Sequence, residues 1–107
     1  MTKKISYHAQ YERVSRIEYI IDWCGGEFGE TIAEIRDTAE NARIVLTEKG
    51  IVIIFNLENN TLVTMWIASP AQAIATYKNG HNGREVPRHY MKTFYKNRKA
   101  SENQPQN

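Results

Sequence analysis

Three residues near the start of the chain, His8, Glu12 and Arg16, stand at i, i+4 and i+8. On an α-helix, steps of about 100° leave them within about 80° of one another, on one side. Histidine, with an ordinary pKa near 6.5, serves as a general base, and a guanidinium holds a phosphate with two parallel donors. The plainer reading is a Glu12–Arg16 surface pair beside an ordinary helix histidine, and these residues alone favour it. Arg13 lies off the line, although its long side chain can reach round an edge. Thr64 and Trp66 form a second constellation: two residues apart in an extended segment, they project from one face. Threonine offers a hydroxyl and tryptophan a surface on which a base can stack. Trp66 as core under a helix, with Thr64 as a good strand former, is again the plainer reading. A third group, Arg88, His89, Tyr90 and Lys92, joins acid–base candidates to phosphate-facing cations, as charged residues on many surface helices also do.

Several chemistries are absent from the pattern. Gly25-Gly26-Glu27-Phe28-Gly29 lacks the lysine of a nucleotide-phosphate loop, and no Gly-x-Ser-x-Gly elbow is present. The histidines at 8, 81 and 89 do not make a His-Glu-x-x-His helix, and Cys24 has no second cysteine beside it. No metal site and no cofactor are therefore expected, Cys24 reads as a small buried hydrophobe, and metal-free acid–base chemistry remains.

These residues must be positioned by local elements. Tyr7, Tyr11, Val14, Ile17, Ile21 and Cys24 recur at spacings of three and four, the stripe of an amphipathic helix over Ile5 to Cys24 that Gly25-Gly26 ends. A second, shorter helix is expected from about Thr31 to Glu40, with Ile32 and Ile35 among acids. The period then changes. Ile44 and Leu46 alternate with their neighbours, Glu48-Lys49-Gly50 supplies a hairpin loop, and Ile51 to Phe55 is a continuous run suited to a strand covered on both faces. Asn59-Asn60 turns the chain into a third strand, Thr61 to Ala68, with Val63, Met65 and Ile67 on one face and Leu62, Thr64, Trp66 and Ala68 on the other. Ser69-Pro70-Ala71-Gln72 has the residues of a capped helix start, running to about Lys78 and stopped by Gly80. His81 to Arg84 reads as a turn-prone, mobile loop. Pro87 opens a last helix with an apolar stripe of Tyr90 or Met91, Phe94 and Tyr95 between Arg88, Lys92, Lys96 and Arg98.

The expectation is an α+β fold with two N-terminal helices, a three-stranded antiparallel sheet (four strands being the alternative) and two C-terminal helices. It forms one domain over residues 1–99, followed by a disordered polar tail at 100–107. The 107 residues are 41% hydrophobic and 24% charged, ordinary globular values that argue against wholesale disorder. No apolar run is long enough to cross a bilayer, so no membrane partner is expected and the cytoplasm is the default compartment. The formal charge of +2 hides an asymmetry. Glu12 to Glu40 holds eight acids against three arginines, a net −5, while Thr76 onward holds seven bases against two acids, a net +5. Such a basic end suits an anionic partner, most simply a phosphate backbone, or else an attraction to the acidic helices of the same chain.

The order of elements, with His8-Ala9 and following arginines on a first helix and a closing Thr64-Met65-Trp66 strand, resembles the small toxin-like domains grouped with barnase, RelE and the colicin ribonucleases. It looks closest to a poorly characterised bacterial, phage or mobile-element branch with a His-Ala-x-x-Arg start. The resemblance covers about Ile5 to Ala68. Glu12 stands where the first family arginine is expected, and Arg13 is displaced by one residue, about 100° round the helix. The resemblance implies metal-independent RNA cleavage, with His8 as base, Arg16 and Arg13 as phosphate ligands, Thr64 as a positioner, Trp66 as stacking platform and His89 as a general acid. Two other readings stand beside it. One is a non-enzymatic adaptor or regulator whose basic C-terminal helix engages nucleic acid or an acidic protein. The other is a self-assembling protein that pairs an exposed edge strand at Arg43 to Thr47 with a copy of itself.

Overall fold

The computed structural model describes the backbone of residues 7–105 and the side chains of residues 15–105. The chain runs α1 (Tyr7–Trp23), β1 (Thr31–Asp37), β2 (Ala42–Thr47), β3 (Ile51–Asn56), β4 (Leu62–Ile67), α2 (Pro70–Gly80), α3 (Arg88–Lys96) and α4 (Arg98–Asn103). The strands form one antiparallel sheet in sequence order, β1-β2-β3-β4, so the architecture is α+β with a four-stranded sheet.

Both sheet faces are covered. On one, Ile20 of α1 packs with Val45, Ile51, Ile53, Met65 and Ile67; on the other, Leu46, Val52 and Ala68 meet Ala73 and Tyr77 of α2, Val86, and Phe94 of α3. Phe94, Ile20, Leu46, Ile51 and Ile67 are fully buried. Met65 and Trp66 fall into different clusters, as alternation along β4 requires.

The second expected helix is instead β1. Thr31, Ile32 and Ile35 are β-branched, and the spacing of Ile32 and Ile35 that suggests a helical stripe arises from a bulge between Thr31 and Ala33. The bulge lets consecutive residues, Ile32 and Ala33, both pack on the α2 side. The edges are consequently β1 and β4, and Arg43 to Thr47 lies within the internal strand β2, so that segment is no free edge for self-pairing.

Two close approaches fix the helices that follow. A Cβ on Gly80 would stand 3.0 Å from the Cβ of Ala33, so its lack of a side chain lets the end of α2 lie on β1. Beyond it His81 stacks on Tyr77 at 4.1 Å, with Nε2 2.6 Å from the carbonyl oxygen of Ile32; the expected mobile loop is anchored at this end. Gly50, at φ 83° in the β2–β3 turn, leaves room for Asn97, whose Nδ2 donates to the carbonyl of Lys49 at 2.6 Å.

The chain then passes round the end of the sheet: Phe94 belongs to the α2-side core and Ala100 packs on the α1-side core. Residues 100–103, expected in a disordered tail, belong to α4, and Gln104 is 8% exposed. Its amide accepts from the Ile67 N–H at 2.8 Å and donates to the Ile67 carbonyl at 2.7 Å, occupying the edge of β4 at that residue. No helix among the described residues is long and apolar enough to cross a membrane.

Candidate functional site

Two regions bring together the residues that can do chemistry. The first is a cleft at the β4 edge. Because Met65 packs with α1 and Thr64 points the other way, Arg16 must turn round the edge of β4 to reach it, and its Nη2 donates to Thr64 Oγ1 at 2.7 Å. Arg16 is only 8% exposed. Trp66 stands two residues along the same face, packed against the Leu46–Val52 cluster, and its buried indole N–H has no hydrogen-bond partner among the described residues. Arg16 and Trp66 line an open cleft of about 400 Å³, completed by Ser69 and Gln72 at the start of α2 and by Ser101, Glu102 and Gln104.

The wall from α2 is rigid for a local reason. Ser69 caps the helix by accepting from the Gln72 N–H at 3.2 Å, while the Gln72 side chain accepts from the Ser69 N–H at 3.1 Å, with Pro70 at the first helical position. The facing wall is α4, held by the Gln104 clasp. Chemically the cleft is lined by Arg16, whose guanidinium is hydrogen-bonded to the Thr64 hydroxyl, by Trp66, whose indole N–H is buried, and by the carboxylate-bearing Glu102.

The second region is the outer surface of α3 and α4. Arg88, Lys92 and Lys96 follow one another every four residues and, with Tyr95, fall within about 100° of arc, on the side opposite buried Phe94. Arg88, Lys92, Lys96, Arg98 and Lys99 are all exposed. Among the described residues, ion pairs join Arg43 to Glu34 at 3.5 Å and Lys78 to Glu85 at 3.8 Å, and none involves these five cations. Among the described residues, the cations of the +5 end thus meet no carboxylate of the acidic segment directly. Tyr95, 51% exposed, has the Arg98 guanidinium 5.9 Å from its ring centroid. Tyr95 and Arg98 form one side of a groove of about 660 Å³ whose other side is α2, and Ser69, Ser101 and Glu102 line both this groove and the β4-edge cleft.

Of the residues singled out in the sequence, Arg16, Thr64 and Trp66 converge. His8 and Arg13 lie outside the described side chains. Arg88, His89 and Lys92 do not line the β4-edge cleft. His89, on exposed α3, instead lines a shallow pocket with Glu48, Lys49, Tyr90 and Thr93, its ring 4.1 Å from that of Tyr90. Tyr95, expected in the apolar stripe of the last helix, is instead exposed, because it falls in helical phase with Arg88 and Lys92 and away from Phe94. Gln104 as an edge clasp rests on a contact across 37 residues that no local pattern announces.

No family model matches the chain, and neither the curated proteins nor the solved structures contain a detectable relative.

Proposed function

We propose that this domain binds nucleic acid, RNA in the first instance, through the cationic surface of α3 and α4. The observation that carries this reading is the α3 row of Arg88, Lys92 and Lys96, followed by exposed Arg98 and Lys99 in α4, all without an ion pair among the described residues, with the exposed ring of Tyr95 on the same helix as the row. Lysine and arginine contacts to phosphate supply most sequence-independent affinity by releasing counterions. An intramolecular role would place carboxylates against these groups, and among the described residues the acids of α1 and β1 do not pair with them. Binding to a short RNA measured from 50 to 200 mM salt should fall steeply, with a log–log slope that shrinks by about one for each phosphate-contacting cation neutralised. A flat salt profile, or a slope unchanged when Lys92, Lys96 and Arg98 are all replaced by glutamine, would falsify the reading.

A second reading, metal-independent cleavage of the bound RNA, is supported by the meeting of Arg16, Thr64 and Trp66. In it a base, His8, takes the proton of a 2′-hydroxyl, whose oxygen then attacks the adjacent phosphorus. The P–O bond to the 5′-oxygen breaks, that oxygen takes a proton from a general acid, and a cyclic phosphate remains. Arg16 and Arg13 would face the charge that builds on the phosphorane, with Thr64 fixing the guanidinium. Burial of Arg16 at 8% exposure confines any such contact to the β4-edge cleft. Wild type, His8→Ala and Arg16→Ala compared in an RNA-cleavage assay decide it: equal rates in all three would remove this reading while leaving binding intact.

A further inference from the structure

We propose that the groove between α2 and the α3–α4 pair is a stacking subsite for one base of a single-stranded nucleic acid, with Tyr95 as platform and Lys78 and Arg98 as phosphate-facing cations at its rim. The proposal rests on the nucleic-acid reading above and adds strandedness to it. At about 660 Å³ the groove has the size of a small-molecule site, and Pro70, Ala71, Ile74 and Ala75 make its α2 wall apolar.

Tyr77, Phe94 and Tyr90 pack into the fold, whereas Tyr95, on the same helix as the last two, is left 51% exposed. The Arg98 guanidinium lies over the Tyr95 ring, 5.9 Å from its centroid, so a base stacking on the ring's other face would sit against a ring already polarised by a cation. Among the described residues Lys78 pairs with Glu85, whose side chain is 92% exposed, at 3.8 Å, a surface pair that a phosphate can displace at little cost.

Charge selects the occupant. Lys78 and Arg98 line the groove with one carboxylate, Glu102, a turn beyond Arg98 on α4. A sugar–phosphate chain is drawn to the two cations, which leaves the base to enter between Tyr95 and Ile74. An acidic peptide would answer the cations but not the flat apolar wall. In a duplex the bases are already stacked and paired, so only an unpaired base can enter. Tyr95 also shares its helix stripe with Arg88, Lys92 and Lys96, so a strand held there is led to the groove.

The test uses a fluorescein-labelled ten-nucleotide oligoadenylate RNA, alone and paired with its complement, titrated by anisotropy against wild type, Tyr95→Phe, Tyr95→Ala and Ala75→Trp. Positions 75 and 95 are both exposed, so the variants should fold, which thermal melts verify. Tyr95→Ala should weaken single-strand binding about tenfold and Tyr95→Phe by less than about twofold. Ala75→Trp, which fills the groove, should match Tyr95→Ala, and duplex binding should stay within about twofold of wild type throughout. Unchanged single-strand binding in Tyr95→Ala and Ala75→Trp, or equal losses for single strand and duplex, would overturn the subsite. If wild type binds neither RNA, the phosphate reading fails by itself. Titration of adenosine monophosphate against methyl-labelled protein then decides the groove. A saturable Ile74 shift lost in Ala75→Trp supports it, and no shift overturns it.

Discussion

The β4-edge cleft and the α3–α4 surface use the same kind of residue in opposite ways. In the cleft an arginine is taken almost entirely out of water, bonded to a threonine and walled in by a capped helix and a glutamine clasp. On α3 and α4 five cations stand in solvent without an ion-paired carboxylate among the described residues, three of them on a helix whose buried residue is Phe94. Burying a guanidinium ties its energetics to the fold, because removing a partner leaves a desolvated donor. Exposing cations leaves the fold nearly indifferent to them and reserves their charge for a partner. Substitutions in the first region should therefore be read in stability, and in the second in affinity.

Phe94→Ala, which removes the anchor under the basic stripe, should give the largest loss of stability, about 3–5 kcal/mol by urea or thermal denaturation, since the side chain is fully buried. A loss below about 1 kcal/mol would mean that α3 is held by something other than this contact. Replacing Lys92, Lys96 and Arg98 together by glutamine should reduce RNA affinity at low salt by about tenfold or more while changing stability by no more than about 0.5 kcal/mol for each site. Stability falling in step with affinity would erase the distinction between the two regions. Thr64→Val keeps the shape of the side chain but removes the acceptor 2.7 Å from Arg16. It should cost about 1–3 kcal/mol in denaturant melts and leave the salt slope of RNA binding as it was. A smaller effect, about 1 kcal/mol, is expected for Ser69→Ala, which opens the capping box in the wall shared by cleft and groove. Its checks are the melting temperature and the helical circular-dichroism signal.

The sequence discloses the parts of this arrangement whose causes are local. The helical span of α1, the apolar run of β3, the asparagine turn before β4 and the capping box of α2 each follow from residues within one or two turns of one another, whereas the phase of the α1 stripe is off by one position, Ile20 being buried and Ile21 42% exposed. The convergence of Arg16 with Thr64 and Trp66 is not local: alternation sets Thr64 on the sheet face away from α1, and Arg16 reaches it round the β4 edge across 48 residues. β1 is misread because its bulge gives an edge strand a spacing of three that belongs to helices. The fate of residues 100–104 is illegible for another reason. Lys99, Ser101 and Glu102 are polar, as a loose tail would be, and what holds the segment is a side-chain amide matched to a backbone across 37 residues.

That amide has a consequence for how the molecule comes together. Gln104 gives and takes the two hydrogen bonds that one residue of a fifth strand would give and take at Ile67. During synthesis β4 can pair with β3 as soon as both have emerged, yet its outer edge at Ile67 has no such partner until 37 more residues have been made. For that interval the half-finished chain presents a strand edge that another nascent chain on the same message can match. The clasp that completes the fold also closes the period in which neighbouring copies can interfere with it.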